Sequence, residues 1–374
     1  MADRFHVATR KGLFTVARSA SGWEIAKVDF VGENASMVLQ DPRDNALYVA
    51  LNHGHFGVKL HRSDDNGATW TECGVPQMPP YTEADAAKQA EAGELGARRD
   101  FSKLHEIWEL TPGGDDQPGT LWAGTIPGGL FKSTDRGDSW TLIESLWDRD
   151  DRWQWFGGGK DSPGINSVIV HPQDSQQVMV GLSCGGVWLT KDGGDTWETR
   201  AAGLRSDYMP PEEAGNPNAQ DVHRLVQCPS QPDTLWIQHH NGIFRSTNGG
   251  KQWQELEDVQ PSVFGFAVVV HPDDPKSAWF VPGVKDECRV PVDGRLIVNR
   301  TRDGGQTFEQ LSNGLPQQHC YDLVYRHCLD IDGSGDRLAM GSTTGSLWVS
   351  ENGGDDWHCL STHLPPIHCV RFAP

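Results

Sequence analysis

The chain has 374 residues, with 51 acidic against 32 basic side chains and a formal net charge of −19. That surplus excludes a binder of nucleic-acid backbone and an adsorber to anionic membranes, because both partners would be repelled. Glycine (42), proline (23) and tryptophan (15) are abundant, which suits many short strands joined by tight turns and disfavours a helical fold.

The amino terminus, Met1 to Val7, carries no apolar run of signal-peptide length, and no window reaches the length of a membrane span. Cytoplasmic residence is therefore the expectation. The eight cysteines show no Cys-x-x-Cys spacing and read as reduced thiols. Along the chain, seven pairs of β-patterned segments follow one another: 6–16, 47–62, 121–132, 178–190, 235–245, 278–300 and 338–349. Behind six of them stands the same eight-residue pattern, Ser/Thr-x-Asp/Asn-x-Gly-x-x-Trp/Phe. It starts at Ser63, Ser133, Thr190, Ser246, Thr301 and Ser350, and a degenerate copy occupies Ser19 to Trp23. Successive starts lie 70, 57, 56, 55 and 49 residues apart, a period that signals a repeat architecture.

The pattern describes a hairpin turn. The Asp or Asn accepts from backbone N–H groups of its own turn, the Gly supplies a positive φ, and the hydroxyl ties the turn's ends together. The closing aromatic begins the next strand and packs into the core. Each unit holds four strands, as in SVIVHP (167–172), VMVGL (178–182), GVWLTK (186–191) and TWETR (196–200). Four strands per repeat make a propeller blade. The fold expected is all-β: one seven-bladed β-propeller over residues 1–374, with four-stranded antiparallel blades. The strand at Ile367 to Phe372 would close the ring by completing the blade that opens at Phe5.

Three inter-blade segments are long: 76–104, with a helical stretch at Glu83 to Arg98; 146–166, rich in Trp; and 204–222, whose Met209-Pro210-Pro211 echoes Met78-Pro79-Pro80. All three enter the face opposite the repeated turns. Gly157-Gly158-Gly159-Lys160 lacks the spacing and the following Ser/Thr of a phosphate loop.

Aligning the innermost strands on their terminal prolines places Ser36, Glu106, Asn166, His223, Phe266 and His368 six residues earlier, at the mouth of the central channel. The seventh strand lacks the proline. Alignment there brings Asp322 into the ring, or His319 after a slip. Short turns on the same face add Arg10, Lys11, His53, His55, Cys184, His239, His240, Lys285 and Glu287. Converging titratable groups suggest a binding or catalytic site. If His53-Gly54-His55 lies in a strand, both imidazoles point to one side, and with His368 they offer ligands to a divalent ion such as zinc.

The repeated pattern resembles the Asp-box, or bacterial neuraminidase repeat, and the resemblance covers essentially the whole chain. It implies a hydrolase of glycosyl-hydrolase type acting on a small polar or glycan-like ligand. On that implication Glu106, Asp322 and His223 are the catalytic candidates. Arg10, Arg224, Asn166, His239, His240 and Lys285 are the candidates for substrate binding, with Arg289 as a further carboxylate clamp. Sialidases of this group carry an Arg-Ile-Pro motif near the amino terminus, where this chain reads Thr9-Arg10-Lys11-Gly12. Two alternatives stand beside the hydrolase. One is a metal-dependent enzyme at the same mouth. The other is a protein-binding scaffold, as in sortilin-type receptors and photosystem assembly factors with related repeats.

Overall fold

The computed structural model describes residues 1–91, 101–157 and 162–374. It contains seven four-stranded antiparallel sheets. Their first strands are Ile367–Phe372 (blade 1), Ala35–Gln40 (blade 2), Glu106–Pro112 (blade 3), Gly164–His171 (blade 4), Val222–Gln227 (blade 5), Gly265–Val270 (blade 6) and Leu329–Ile331 (blade 7). These strands touch their neighbours in turn and close a ring. The molecule is a seven-bladed β-propeller. Blade 1 is built from both ends of the chain: Arg4–Thr9 pairs with Ile367–Phe372, opposing Val7 to Val370 and His6 to Arg371.

The repeated turns all take one geometry. In the first, the Ser63 hydroxyl accepts the Gly67 N–H (2.7 Å) and donates to Asp65 (2.7 Å). Asp65 in turn accepts the N–H (2.8 Å) and hydroxyl (2.7 Å) of Thr69. The same bonds recur around Asp192 and Asp303. Gly305 shows why the fifth position is glycine: φ is +91°, and a Cβ there would lie 2.4 Å from Leu256. The turn aromatics also fasten blade to blade. The indole N–H groups of Trp140, Trp197 and Trp253 donate to Gly74, Ser145 and Arg200, each on the chain leaving the preceding blade.

The described parts of the three long segments pack against one another. The first contains a helix at Glu83–Glu91, and the remainder of the helix expected to Arg98 lies outside the described residues, as do Gly158, Gly159 and Lys160. Phe101 from this segment packs on Trp147 and Trp153 of the second, whose indoles sandwich Arg152. Trp155 then donates to Asn218 of the third (3.0 Å), and Phe156 meets Tyr208 edge-on.

Blade 7 departs from the sequence alignment. Its first strand is Leu329–Ile331, ending beside Gly333 where the other blades have proline. The ring position six residues earlier is therefore His327, and Asp322 stands in the irregular segment before it, hydrogen-bonded by Ser342 (2.6 Å) and Thr344. The physical reason is that the extra residues of the blade 6–7 connection are absorbed without a strand, so hydrophobic pattern alone does not set the register there.

Turn hydroxyls and N–H groups hold Asp65, Asp192 and Asp303 at about 2. A carboxyl depressed in the folded state below its unfolded value of about 3.9 contributes stability above about pH 4 and loses it as pH falls toward 2. Asn already fills this position at 248 and 352. The triple variant D65N/D192N/D303N should therefore lose less stability than the parent between pH 5 and pH 2, as read from urea midpoints.

Candidate functional site

A cavity of about 640 Å³ opens between blades 4, 5 and 6 on the face away from the repeated turns. Asp221 stands at its base, one residue ahead of the strand Val222–Gln227, and the extended chain brings His223 alongside it. His240 arrives from the turn after Leu235–His239. Asp221 Oδ2 lies 3.4 Å from His223 Nε2 and 3.3 Å from His240 Nδ1, while Oδ1 accepts the Ser183 hydroxyl at 2.8 Å. His223 is buried and stacks on Phe266, with ring centroids 4.3 Å apart, and its Nδ1–H donates to the Gly265 carbonyl (2.7 Å). His240 meets Tyr208 and Phe264 edge-on. Burial would raise the Asp221 carboxyl, but the facing imidazoles hold it well below the usual carboxylate range. Burial lowers His223. It also acts to lower His240, but the Asp221 carboxylate facing that ring outweighs burial and raises the group.

Arg326 forms part of the wall. It is 8% exposed, with its guanidinium over Trp108 (4.8 Å) and Phe266 (5.1 Å). Among the described residues it has no ion pair or hydrogen-bonded partner, and its Nε is buried without an acceptor. Beside it, Arg289 is paired with Asp286 at 2.5 Å. Arg326 and Arg289 also border a second chamber of about 260 Å³, lined by Ser36, Glu106, His327 and His368.

Beneath that chamber the axis is plugged. Glu109 is 3% exposed and receives Arg224, His327 (3.4 Å) and Arg371 (3.6 Å), one group each from blades 5, 7 and 1. Burial opposes ionisation of Glu109, but the two guanidiniums and the imidazole hold it far below its usual value. Burial lowers His327 to about 4.

The ring expected from sequence therefore divides. His223, His240 and Lys285 line the large cavity, and Glu106 and His368 line the chamber. Arg224 belongs to the plug. Asn166 is fully buried and donates to the Val222 carbonyl (2.7 Å), so it joins blades 4 and 5 and is not offered to a ligand. His239 is buried against Phe244, with Nδ1 accepting from the Asn241 N–H, and burial lowers it to about 3. Arg10 is exposed, and its backbone N–H bonds Pro366; it lines neither space. With Asp322 outside the ring, it forms no pair with Glu106 there.

The histidines His53, His55 and His368 do not converge. Gly54–Phe56 is a 3-10 turn, so the two-residue alternation of a strand does not apply; His53 turns toward Glu33 (3.3 Å) and His55 lies against Phe56. Among the described residues, one group of His, Cys and carboxylate side chains closes within ligand distance, Asp221 with His223 and His240, whose donor atoms all lie within 4.8 Å of one another. Sequence reading passed over Asp221, Glu109, Arg326, His327 and Arg371. The spacing Asp221-x-His223 was a usable signal, because residues two apart in an extended chain share a face.

No family model matches the chain. In sequence it is similar to a probable oligoxyloglucan-reducing end-specific xyloglucanase of Neosartorya fischeri, 33% identical over 189 residues, covering 47% of this chain and 19% of that protein. It is also similar to the photosystem II assembly lipoprotein Ycf48 of Trichormus variabilis, 27% identical over 167 residues, covering 39% of this chain and 47% of that one. The chain thus spans less than half the length of either relative. Its fold is similar to that of the GH74 xyloglucanase from Xanthomonas campestris, with TM-score 0.65, 16% identity, and coverage of 96% of this chain and 53% of that chain.

Glu109 compensates three cationic or ionisable groups at once, and removing one partner of a buried charge cluster costs about 3–5 kcal/mol. Glu109→Gln should lower unfolding free energy by that order in urea titrations, whereas Arg10→Ala should leave it within about 0.5 kcal/mol.

Proposed function

We propose that the protein is a hydrolase of glycoside type whose ligand, carbohydrate-like and bearing an anionic group, enters the cavity between blades 4, 5 and 6. The observation that carries this reading is Arg326: a buried guanidinium with no carboxylate or hydrogen-bonding partner among the described residues, opening on the same cavity as the Asp221–His223–His240 cluster. Burying an unpaired cation is costly unless a ligand supplies the counter-charge, and a guanidinium fork matches a carboxylate in a bidentate manner. The similarity to xyloglucanases supports carbohydrate as the ligand class. Xyloglucan itself carries no charge for Arg326 to read, so the substrate differs from it in bearing an acidic group.

The division of labour follows from placement. Arg326, with exposed Lys285 at the rim, holds the anionic end. Tyr208, the exposed aromatic of the cavity wall, offers apolar surface to a sugar ring. Asp221 and its two imidazoles stand at the reacting end. Glu106 and His368 line the neighbouring chamber, which shares Arg289 and Arg326 with the cavity wall.

Hydrolysis and binding of uronic-acid oligosaccharides and of neutral xyloglucan oligosaccharides test the reading on one protein preparation. The acidic substrates should be cleaved and the neutral ones spared. Arg326→Met should raise KM for the acidic set about 10- to 100-fold, as expected for loss of a charged hydrogen-bonding partner. Equal cleavage of the acidic substrates by parent and variant would refute the role of Arg326. Tight binding of the acidic set without turnover would make the cavity a binding site and remove the hydrolase.

A further inference from the structure

We infer that Asp221, His223 and His240 form a binding site for one divalent first-row transition-metal ion, with its remaining coordination positions open to the cavity. The inference does not depend on the hydrolase reading, since the ion would be bound whether or not a glycan is cleaved.

Three observations carry it. First, the spacing is that of ligands around an ion. A tetrahedral centre with bonds of about 2.0–2.2 Å sets its donor atoms about 3.4 Å apart. The two nitrogens stand 3.4 and 3.3 Å from Asp221 Oδ2, whereas a charge-assisted N–H···O bond would draw them in to about 2.7–2.9 Å. Second, the orientation of His223 is set from behind. The Gly265 carbonyl can only accept, so Nδ1 carries the hydrogen, and in the neutral ring Nε2 turns its lone pair toward a carboxylate oxygen. Two lone pairs facing one another leave between them a position that a proton or a metal cation fills, and the 3.4 Å gap suits the metal. A carbonyl behind the ring is also the usual outer partner of a metal-bound histidine. Third, the carboxylate is fixed by a bond on its other oxygen, from Ser183, which leaves Oδ2 for the shared position.

The donor set of two imidazoles and one carboxylate suits zinc, manganese, iron or cobalt better than calcium or magnesium, which favour all-oxygen sites. Three protein ligands leave room for water or for an oxyanion of the ligand. Buried Arg326 is close enough to act electrostatically on Asp221 without bonding to it. An anionic ligand bridging ion and guanidinium would satisfy both. Half-buried His53 and exposed His55 provide an internal control, because they share no carboxylate and no buried wall with this cluster.

Chelator-stripped protein is titrated with Zn²⁺ and Mn²⁺ by calorimetry, and with Co²⁺ by visible absorption. The expected result is one ion per chain, with cobalt d–d bands that mark nitrogen ligation. His240→Ala and Asp221→Asn should weaken binding by at least about 100-fold, since loss of an outer partner alone costs about 10- to 100-fold. His53→Ala/His55→Ala should change nothing. His240 is only half-buried, so its variant retains the fold, as circular dichroism checks. Absence of binding for all three ions in the parent protein overturns the inference. So does undiminished stoichiometric binding in a folded His240→Ala variant.

Discussion

The pairing of Arg4–Thr9 with Ile367–Phe372 is the constraint on which the interior of the ring depends. Six blades are continuous in sequence and can set their own register through hairpins. Blade 1 cannot, because its two innermost strands come from opposite ends of the chain. The alignment of His6 with Arg371 and Val7 with Val370 carries Arg371 to Glu109 and His368 to the upper chamber. A shift of one residue would turn both side chains to the other face of the sheet.

The axis then holds two kinds of buried charge. Glu109 is saturated: two guanidiniums and an imidazole from three other blades converge on it, and Arg224 and His327 also reach the Asn166 carbonyl. Such a cluster joins blades that share no hydrogen-bonded edge and leaves nothing for a ligand. Arg326, one residue from His327, is the opposite case. It is packed between aromatic faces and supplied with no acceptor among the described residues. Burial of charge is common to both. What separates a structural group from a ligand-facing one is whether the protein itself completes its bonding.

The aromatic segments on the upper face shape the cavity around this difference. Phe156 and Tyr208 come from separate insertions and meet at its rim, and Trp155 is tied to Asn218. Tyr208 then contacts His240, so the outer loops and the cluster at the base are linked through one phenol ring. Cys184 sits nearby at φ +53°, in a region that side-chain-bearing residues rarely adopt, and borders the cavity together with Asp221.

Local chemistry was sufficient for the architecture. The eight-residue turn contains its own hydroxyl, carboxylate, glycine and aromatic, so each copy could be read without its neighbours, and the number and order of blades followed. The first strand of blade 7 could not be read in the same way, because Gly333 replaces the proline that marks the other strand ends and the preceding connection has no regular pattern. His53 and His55 were misread for a related reason: a short turn replaced the extended segment that would have aligned them. The site was legible in part. His223 and His240 were recognisable as polar groups at ring positions, but Asp221, Glu109 and Arg326 acquire their character from partners as far as 262 residues away in the chain. By itself the sequence determined the repeat and the strand order, since those depend on contacts within a few residues. Tertiary structure alone decided which charges are neutralised and which are left facing the cavity, because that depends on how seven separate strands meet around one axis.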